Sequence, residues 1–316
     1  MEALLAEYNY GPPRRAERSG LIDLVFTTLS LWAAELIRGA EQAAFAQDCR
    51  IVVSVVAGEP ESDEWLARVS ASQTDGVILA LTELSPPHRA QLAAMQVPVV
   101  IVGPVGQPDP HIPSIGAANW AGGLKATEHL IEIGHRRIGT IAGRPSVLSS
   151  QARLDGYRAA LDHAGIPADP ALIYSGDFRF ETALAAATEM LALPDPPTAI
   201  FAASDLQAMG VYEAARLRHL QIPGDLSVVG FDNLPMSAWL PPPLTTVSQP
   251  LAQMAATATR TVLALRDGTI DTSRNRVELS TSLVIRSSTA PPPTPADQPR
   301  PARRRKKPPA SLIDGQ

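Results

Sequence analysis

The sequence predicts an α/β protein built as two doubly wound lobes. From residue 20 onward, short apolar runs alternate with stretches of helical period. Most of these runs are continuous in Val and Ile rather than alternating, as strands buried on both faces of a parallel sheet should be. Two breaks, one rich in Pro and Gly at 104–116 and one rich in Pro at 235–250, interrupt the alternation and imply that the chain crosses between two lobes. At 316 residues the chain suits two such units better than one small core.

The strand candidates are LIDLVF (21–26), RIVVSVV (50–56), GVILAL (76–81), PVVIVG (98–103), RIGTIAG (137–143), LIYSGD (172–177), TAIFAAS (198–204) and LSVVGFD (226–232). Between them, WAAELIRGAEQAAF places Trp32, Leu36, Ala40 and Ala43 on one helical stripe. GLKATEHLIEIG aligns Leu124, Thr127 and Leu130/Ile131 and stops at Gly134. SSQARLDGYRAALDHAGIP reads as a helix with a Ser cap, ended by Gly165 and Pro167. RVELSTSLVIRSS (276–288) alternates like an edge strand. Beyond it, a Pro-rich basic stretch has too few apolar residues to offset the entropy of ordering and is expected to be disordered.

Composition narrows the function classes. Apolar residues make up 45% and charged residues 19%, ordinary values for a globular protein. No apolar run approaches the roughly 20 residues of a membrane span, and the start lacks the pattern of a secretory signal. Cys49 is the only cysteine, which excludes a disulfide framework and a cysteine metal cluster and suits a cytoplasmic setting. The net charge of −5 is uneven: from Pro291 onward six basic residues face two acidic ones, leaving −9 on the remainder. An acidic body is a poor surface for nucleic-acid phosphates.

Catalytic signatures are missing. There is no Gly-x-Ser-x-Gly elbow, phosphate-binding loop or dinucleotide fingerprint. The six histidines are scattered without metal-ligand spacing, and His135, His163 and His219 read as helix-end residues. The acidic cluster Glu59, Glu61, Asp63 and Glu64 reads as a solvated helix start. The sequence therefore predicts no enzyme, no cofactor and no metal. It does place Trp32, Arg153, Phe178, Ser204, Asp205 and Asp232 after strands, where βα units hold ligand contacts. Aromatic faces with Asp, Ser and Arg suit a sugar, although Ser204 or Asp205 can equally cap a helix and Trp32 can be core.

The blocks GHRRIGTIAG, SSQARLDGYRAALDHAGIP, PTAIFAASDLQAMGVYEAARLRHLQIPGDLSVVGFDNLP and PPLTTVSQP resemble the lac-repressor (LacI/GalR) family of bacterial transcription regulators over about residues 8–289. The resemblance implies two Rossmann-like subdomains of the periplasmic-binding-protein (type I) fold linked by three crossovers. It implies a homodimer and an effector that alters operator binding by shifting the lobes. One subdomain is expected at 20–115 plus 251–275, the other at 116–248 plus 276–289, with a tail at 290–316. By the same resemblance Arg153 and Asp232 bind effector hydroxyls, Phe178 packs on the ligand and Ser204 stands where Asn is frequent. Gln249 matches a ligand-facing crossover residue, and Trp32 matches the aromatic of the first-helix entry. Gly103 and Ala80 depart from polar residues common in the family, so the first subdomain is expected to make fewer hydrogen bonds and the effector to be a sugar or a non-sugar. A solute-binding protein of the same fold is the alternative, and it would need an export signal.

The family's helix-turn-helix headpiece has no room before the first strand. Residues 1–19 resemble the end of a headpiece and its hinge, with Arg14, Arg15 and Arg18 available to phosphates and Gly11-Pro12-Pro13 opposing a hinge helix. A headpiece encoded upstream, a truncated effector sensor and a DNA-contacting basic tail are the three readings, the first preferred.

Overall fold

A computed structural model describes residues 19–56, 64–71, 73–80, 85–106, 110–270 and 276–293. The alternation in the sequence resolves into two six-stranded sheets. In the first lobe β1 (Leu21–Phe26), β2 (Arg50–Val55), β3 (Gly76–Ala80), β4 (Val99–Val102) and β5 (Ser114–Ala117) join with β11 (Arg276–Leu279) in the order β11-β5-β4-β3-β1-β2. In the second lobe β6 (Ile138–Ala142), β7 (Ile173–Ser175), β8 (Ala199–Ala202), β9 (Ser227–Asp232) and β10 (Thr245–Ser248) join with β12 (Ser282–Val284) in the order β12-β10-β9-β8-β6-β7. Every pairing is parallel except β10 with β12.

Helices cover both faces of each sheet. The first lobe carries α1 (Leu31–Phe45), α2 (Glu64–Ala71) and α3 (Pro86–Ala94), and the second carries α4 (Asn119–Glu132), α5 (Leu148–His163), α6 (Phe180–Met190) and α7 (Asp205–Leu217). A later helix, α8 (Leu251–Arg266), returns to the first lobe and packs on α1, β3, β4 and β5. Side-chain alternation divides each strand between two cores. Ile22, Leu24 and Phe26 of β1 join Ile78 and Ala80 of β3 under α1 and α8. Val25, Val77 and Leu79 point the other way, toward Trp65, Leu66 and Leu92 of α2 and α3. Strands buried on both faces are why these runs read as continuous apolar sequence.

The chain crosses between the sheets after Ala117, after Ser248 and after Leu279. The third crossing corrects an expectation: 276–289 is not one edge strand of the second lobe. Arg276–Leu279 pairs with β5 in the first sheet, and only Ser282–Val284 enters the second. The first and third crossings are tied together, because Ala118 N–H donates to Leu279 O (2.8 Å) and Thr281 Oγ1 donates to Ala118 O (3.2 Å). The expected cut at 115/116 likewise runs through β5. Both Pro-rich breaks contain four-residue strands, β5 and β10, too short to show a period.

Helix details also shift. The buried stripe of α1 is Ala33, Leu36, Gly39, Ala40 and Ala44, one position round from the expected stripe, because Gly39 meets α8. A Cβ on Gly39 would stand 2.1 Å from Ala252 O, so only glycine lets the two helices approach. α5 starts at Leu148 with no side-chain cap, and Ser149 and Ser150 lie inside its first turn.

The C-terminal stretch is latched onto the start of β9. Ser288 Oγ donates to Val228 O (2.6 Å) and accepts from Thr245 N–H (2.8 Å). His129 Nε2 meets Thr289 Oγ1 (3.0 Å), and His135 Nε2 meets Ala290 O (2.9 Å). His135 Nδ1 meets Thr198 Oγ1 (2.7 Å). Ala290, expected at the head of a disordered tail, is thus hydrogen-bonded into the lobe. His135 closes the end of α4 as expected, its N–H donating to Leu130 O (3.0 Å), but its ring is buried and its pKa is lowered chiefly by that burial. The basic cluster of the tail lies outside the described residues.

Candidate functional site

The strongest polar cluster lies at the carboxyl ends of the second-lobe strands. Arg153 projects from the second turn of α5, and the residue is 6% exposed. A Cβ on Gly123 of α4 would stand 2.2 Å from Arg153 O, so glycine brings the two helices together. That approach lets Arg153 Nε donate to Asn119 Oδ1 (2.8 Å) at the start of α4. Arg153 Nη1 donates to Ala203 O (2.5 Å) and stands 3.7 Å from Asp232 Oδ1. The guanidinium carbon lies 3.7 Å from the Phe231 ring centroid and 5.7 Å from that of Phe178. Such contacts add cation–π attraction to the charge pairing. Burial draws the arginine down to about 10, with Asp232 and Asp205 opposing the shift, so it stays charged at neutral pH.

Phe178 reaches this place because the loop after β7 takes a left-handed turn, φ 67° at Phe178 itself. Its ring lies over Gly143 at the end of β6, where a Cβ would come within 2.0 Å of Phe178 Cζ. Asp232 ends β9 and accepts from Gln249 Nε2 (2.6 Å) across the second crossing. Both Asp232 (φ 116°) and Asn233 (φ 58°) occupy the left-handed region, a cost of about 1–3 kcal/mol per residue that surrounding bonds must offset. Burial pushes Asp232 above the ordinary carboxylate range, while Arg153, Gln249 and the Asp205 N–H pull it back. Asp205 is fully buried and also raised, first by burial and then by repulsion from Asp232.

The structure therefore brings four of the sequence-expected residues together: Arg153, Phe178, Asp232 and Gln249. Ser204 is adjacent, but its hydroxyl caps α7, accepting from Gln207 N–H (3.1 Å). Asp205, expected as that cap, instead follows it and accepts from Leu234 N–H (2.7 Å) and Thr246 Oγ1 (2.5 Å). Trp32 is half-buried and packs against the first-lobe core. Arg14, Arg15 and Arg18 lie outside the described residues.

A cavity of about 350 Å³ opens where the lobes meet, at the lower end of small-ligand sites. Its lining includes Asp232, Asn233, Ser248 and Gln249 of the second lobe and crossing, Glu35 and Arg38 of α1, and residues 250–253 at the start of α8. Glu35 and Arg38 pair at 2.6 Å. The first-lobe lining thus includes an ion pair, and neither Gly103 nor Ala80, on which the expectation of fewer hydrogen bonds rested, is part of it. Phe231, Asn119, Glu35 and Arg38 escaped the sequence reading. Phe231 had the one usable signal, its place beside Asp232 at a strand end. Asn119 meets Arg153 only through folding, from 34 residues away. Among the described residues no group of three His, Cys, Asp or Glu side chains could hold a metal, and no helix is long and apolar enough to cross a membrane.

The chain is similar to known proteins. A periplasmic binding protein-like domain matches residues 127–289. The HTH-type transcriptional repressor CytR of Escherichia coli K12 is 32% identical over 278 residues, covering 87% of this chain and 81% of that repressor. The ribose operon repressor of the same organism is 30% identical over 295 residues, covering 91% and 89%. Among solved structures, a transcriptional regulator CelR–cellobiose complex superposes with a TM-score of 0.79 at 31% identity, covering 91% and 89%. These relatives are regulators rather than enzymes. With its two-sheet core and a third of its residues shared with such repressors over most of their length, the chain belongs to the LacI family of transcriptional regulators.

Proposed function

We propose that this protein is an effector-responsive transcriptional repressor that takes a small carbohydrate-like ligand between its lobes. The observation that carries the reading is the buried Arg153–Asp232–Gln249 cluster beside Phe178 and Phe231. A planar guanidinium offers paired donors to two hydroxyls, the carboxylate accepts from them, and an aromatic face covers the apolar side of a sugar ring. The cellobiose-bound regulator and the ribose operon repressor, both similar over about nine-tenths of this chain, support a sugar. Ligand in the cleft would favour one lobe orientation and thereby change affinity for operator DNA in the cytoplasm.

The protein would act as a homodimer. Phe45, Trp239, Leu217 and Ile285 are large apolar side chains more than half exposed, which a second copy would cover.

Calorimetric titration with D-ribose, cellobiose and cytidine tests the ligand reading. One of these, or a related polyol, should bind, and Arg153→Ala and Asp232→Ala should each abolish the heat. Wild-type binding by both variants would place the site elsewhere.

A further inference from the structure

We infer that Asp205 and Arg286 are positioning residues: they clamp the left-handed Asp232–Asn233 turn from two sides and so fix where the Asp232 carboxylate stands against Arg153. The inference rests on the effector reading only for its use, since the clamp itself is a property of the empty fold.

The turn needs holding because two consecutive non-glycine residues sit at positive φ. Asp205 grips it from the α7 side. One carboxylate oxygen accepts from Leu234 N–H (2.7 Å), the first amide beyond the turn, and the other accepts from Thr246 Oγ1 (2.5 Å) on neighbouring β10. Arg286, just past β12, grips from the other side. Its Nη2 donates to Asn233 Oδ1 (2.6 Å), and Nη1 donates to Leu244 O (2.6 Å) and Ser237 Oγ (3.1 Å). Asn233 also donates through Nδ2 to Ser248 Oγ (3.2 Å), so the turn is tied to β10 as well.

Neither clamp residue lines the cleft; Asp232 and Asn233 do. Asp205 is 0% exposed and can act on a ligand only through the turn. The glycine of VVGFD carries an independent sign of the arrangement. A Cβ on Gly230 would stand 2.5 Å from Asp205 Oδ1, so β9 keeps a glycine where this carboxylate passes.

The turn has a second cargo. Leu234 is buried in the same core cluster as Leu251, Met254 and Ala255 of α8, which belongs to the first lobe. One clamped segment therefore holds both the ligand-facing carboxylate and an apolar plug in the opposite lobe. The charged and titratable groups around Asp205 are Asp232, Arg153, Arg286 and Tyr212. Asp205 and Asp232 repel one another and are both buried, which favours a protonated carboxyl in the pair.

The test needs no ligand. Full-length protein carrying aspartate labelled with carbon-13 at the side-chain carboxyl is titrated by NMR, and Asp232 is assigned as the resonance missing from Asp232→Asn. Asp205→Asn should move the Asp232 resonance, because the carboxylate that accepts from Leu234 N–H and Thr246 Oγ1 at the turn is lost. Arg286→Ala should move the same resonance, and Arg286→Lys should restore part of the shift, as a merely bulky residue would not. If Asp205→Asn fails to fold, Thr246→Val removes one of its donors and should move the Asp232 resonance in the same experiment. An Asp232 resonance and midpoint unchanged in Asp205→Asn, or in Thr246→Val in its place, and in Arg286→Ala would overturn the proposal. That result would leave the ligand reading standing, just as a failed sugar titration would leave this clamp standing.

Discussion

The two lobes offer the cleft unlike walls. On the second-lobe side Asp232 and Gln249 line the cavity and belong to a buried, interlocked set in which Arg153 and Asn119 stand behind them, each with a partner. The first lobe presents Glu35 and Arg38, a surface pair with side chains 24% and 53% exposed. Partners fixed in advance lose little freedom on binding, whereas solvated side chains must be ordered and stripped of water. For the ligand role proposed above, the difference implies a division of labour: a pre-organised recognition surface on the second lobe, and a first lobe whose approach the ligand would alter.

The sharpest way to break that division is Asp232→Ala. It leaves the Arg153 charge buried without its carboxylate and should cost about 3–5 kcal/mol in urea unfolding. A loss under 1 kcal/mol would mean that the cluster is not the pre-organised wall described. Next comes Gly143→Ala, which pushes a methyl group into the Phe178 ring and should cost about 1–3 kcal/mol. It should also weaken ligand binding, with the first-lobe packing untouched. Glu35→Gln tests the other wall, where an exposed pair should contribute less than about 1 kcal/mol to stability. If it abolished ligand binding as Asp232→Ala should, the asymmetry between the walls would be wrong.

The smallest expected effects are those of pH. Asp205 and Asp232 have folded pKa values above their unfolded ones, so their contribution is full below the unfolded carboxylate range and fades as pH rises through the folded values. His129 and His135 shift the other way, lowered chiefly by burial. Their contribution is present above the ordinary histidine range and is lost as pH falls through it toward the folded values. Asp205→Asn should flatten the first slope in chemical unfolding, and His135→Gln should reduce the second. Unchanged slopes in these variants would remove these groups as the cause.

The α/β class was legible because parallel strands covered on both faces leave a strong signal in Val and Ile, as in GVILA of β3. The arginine and aspartate of the site were legible because they sit in long, distinctive blocks. β5 and β10 were not, since four residues inside Pro-rich context carry no period. The split of 276–289 was hidden because its cause is a bond to a residue far away in sequence, between Ala118 and Leu279. Asp205 misled for a related reason: an acid beside a helix start reads as a cap, and only the folded turn of Asp232–Leu234 gives its carboxylate another use.

The latch on Ser288, Thr289 and Ala290 sits at the start of β9, whereas Asp232 ends that strand. Six residues of strand put the two about 17 Å apart, at opposite poles of the second lobe. A reporter or affinity tag put in place of residues 294–316 would therefore depart from the pole away from Asp232, which makes that end a natural attachment point for an immobilised sensor.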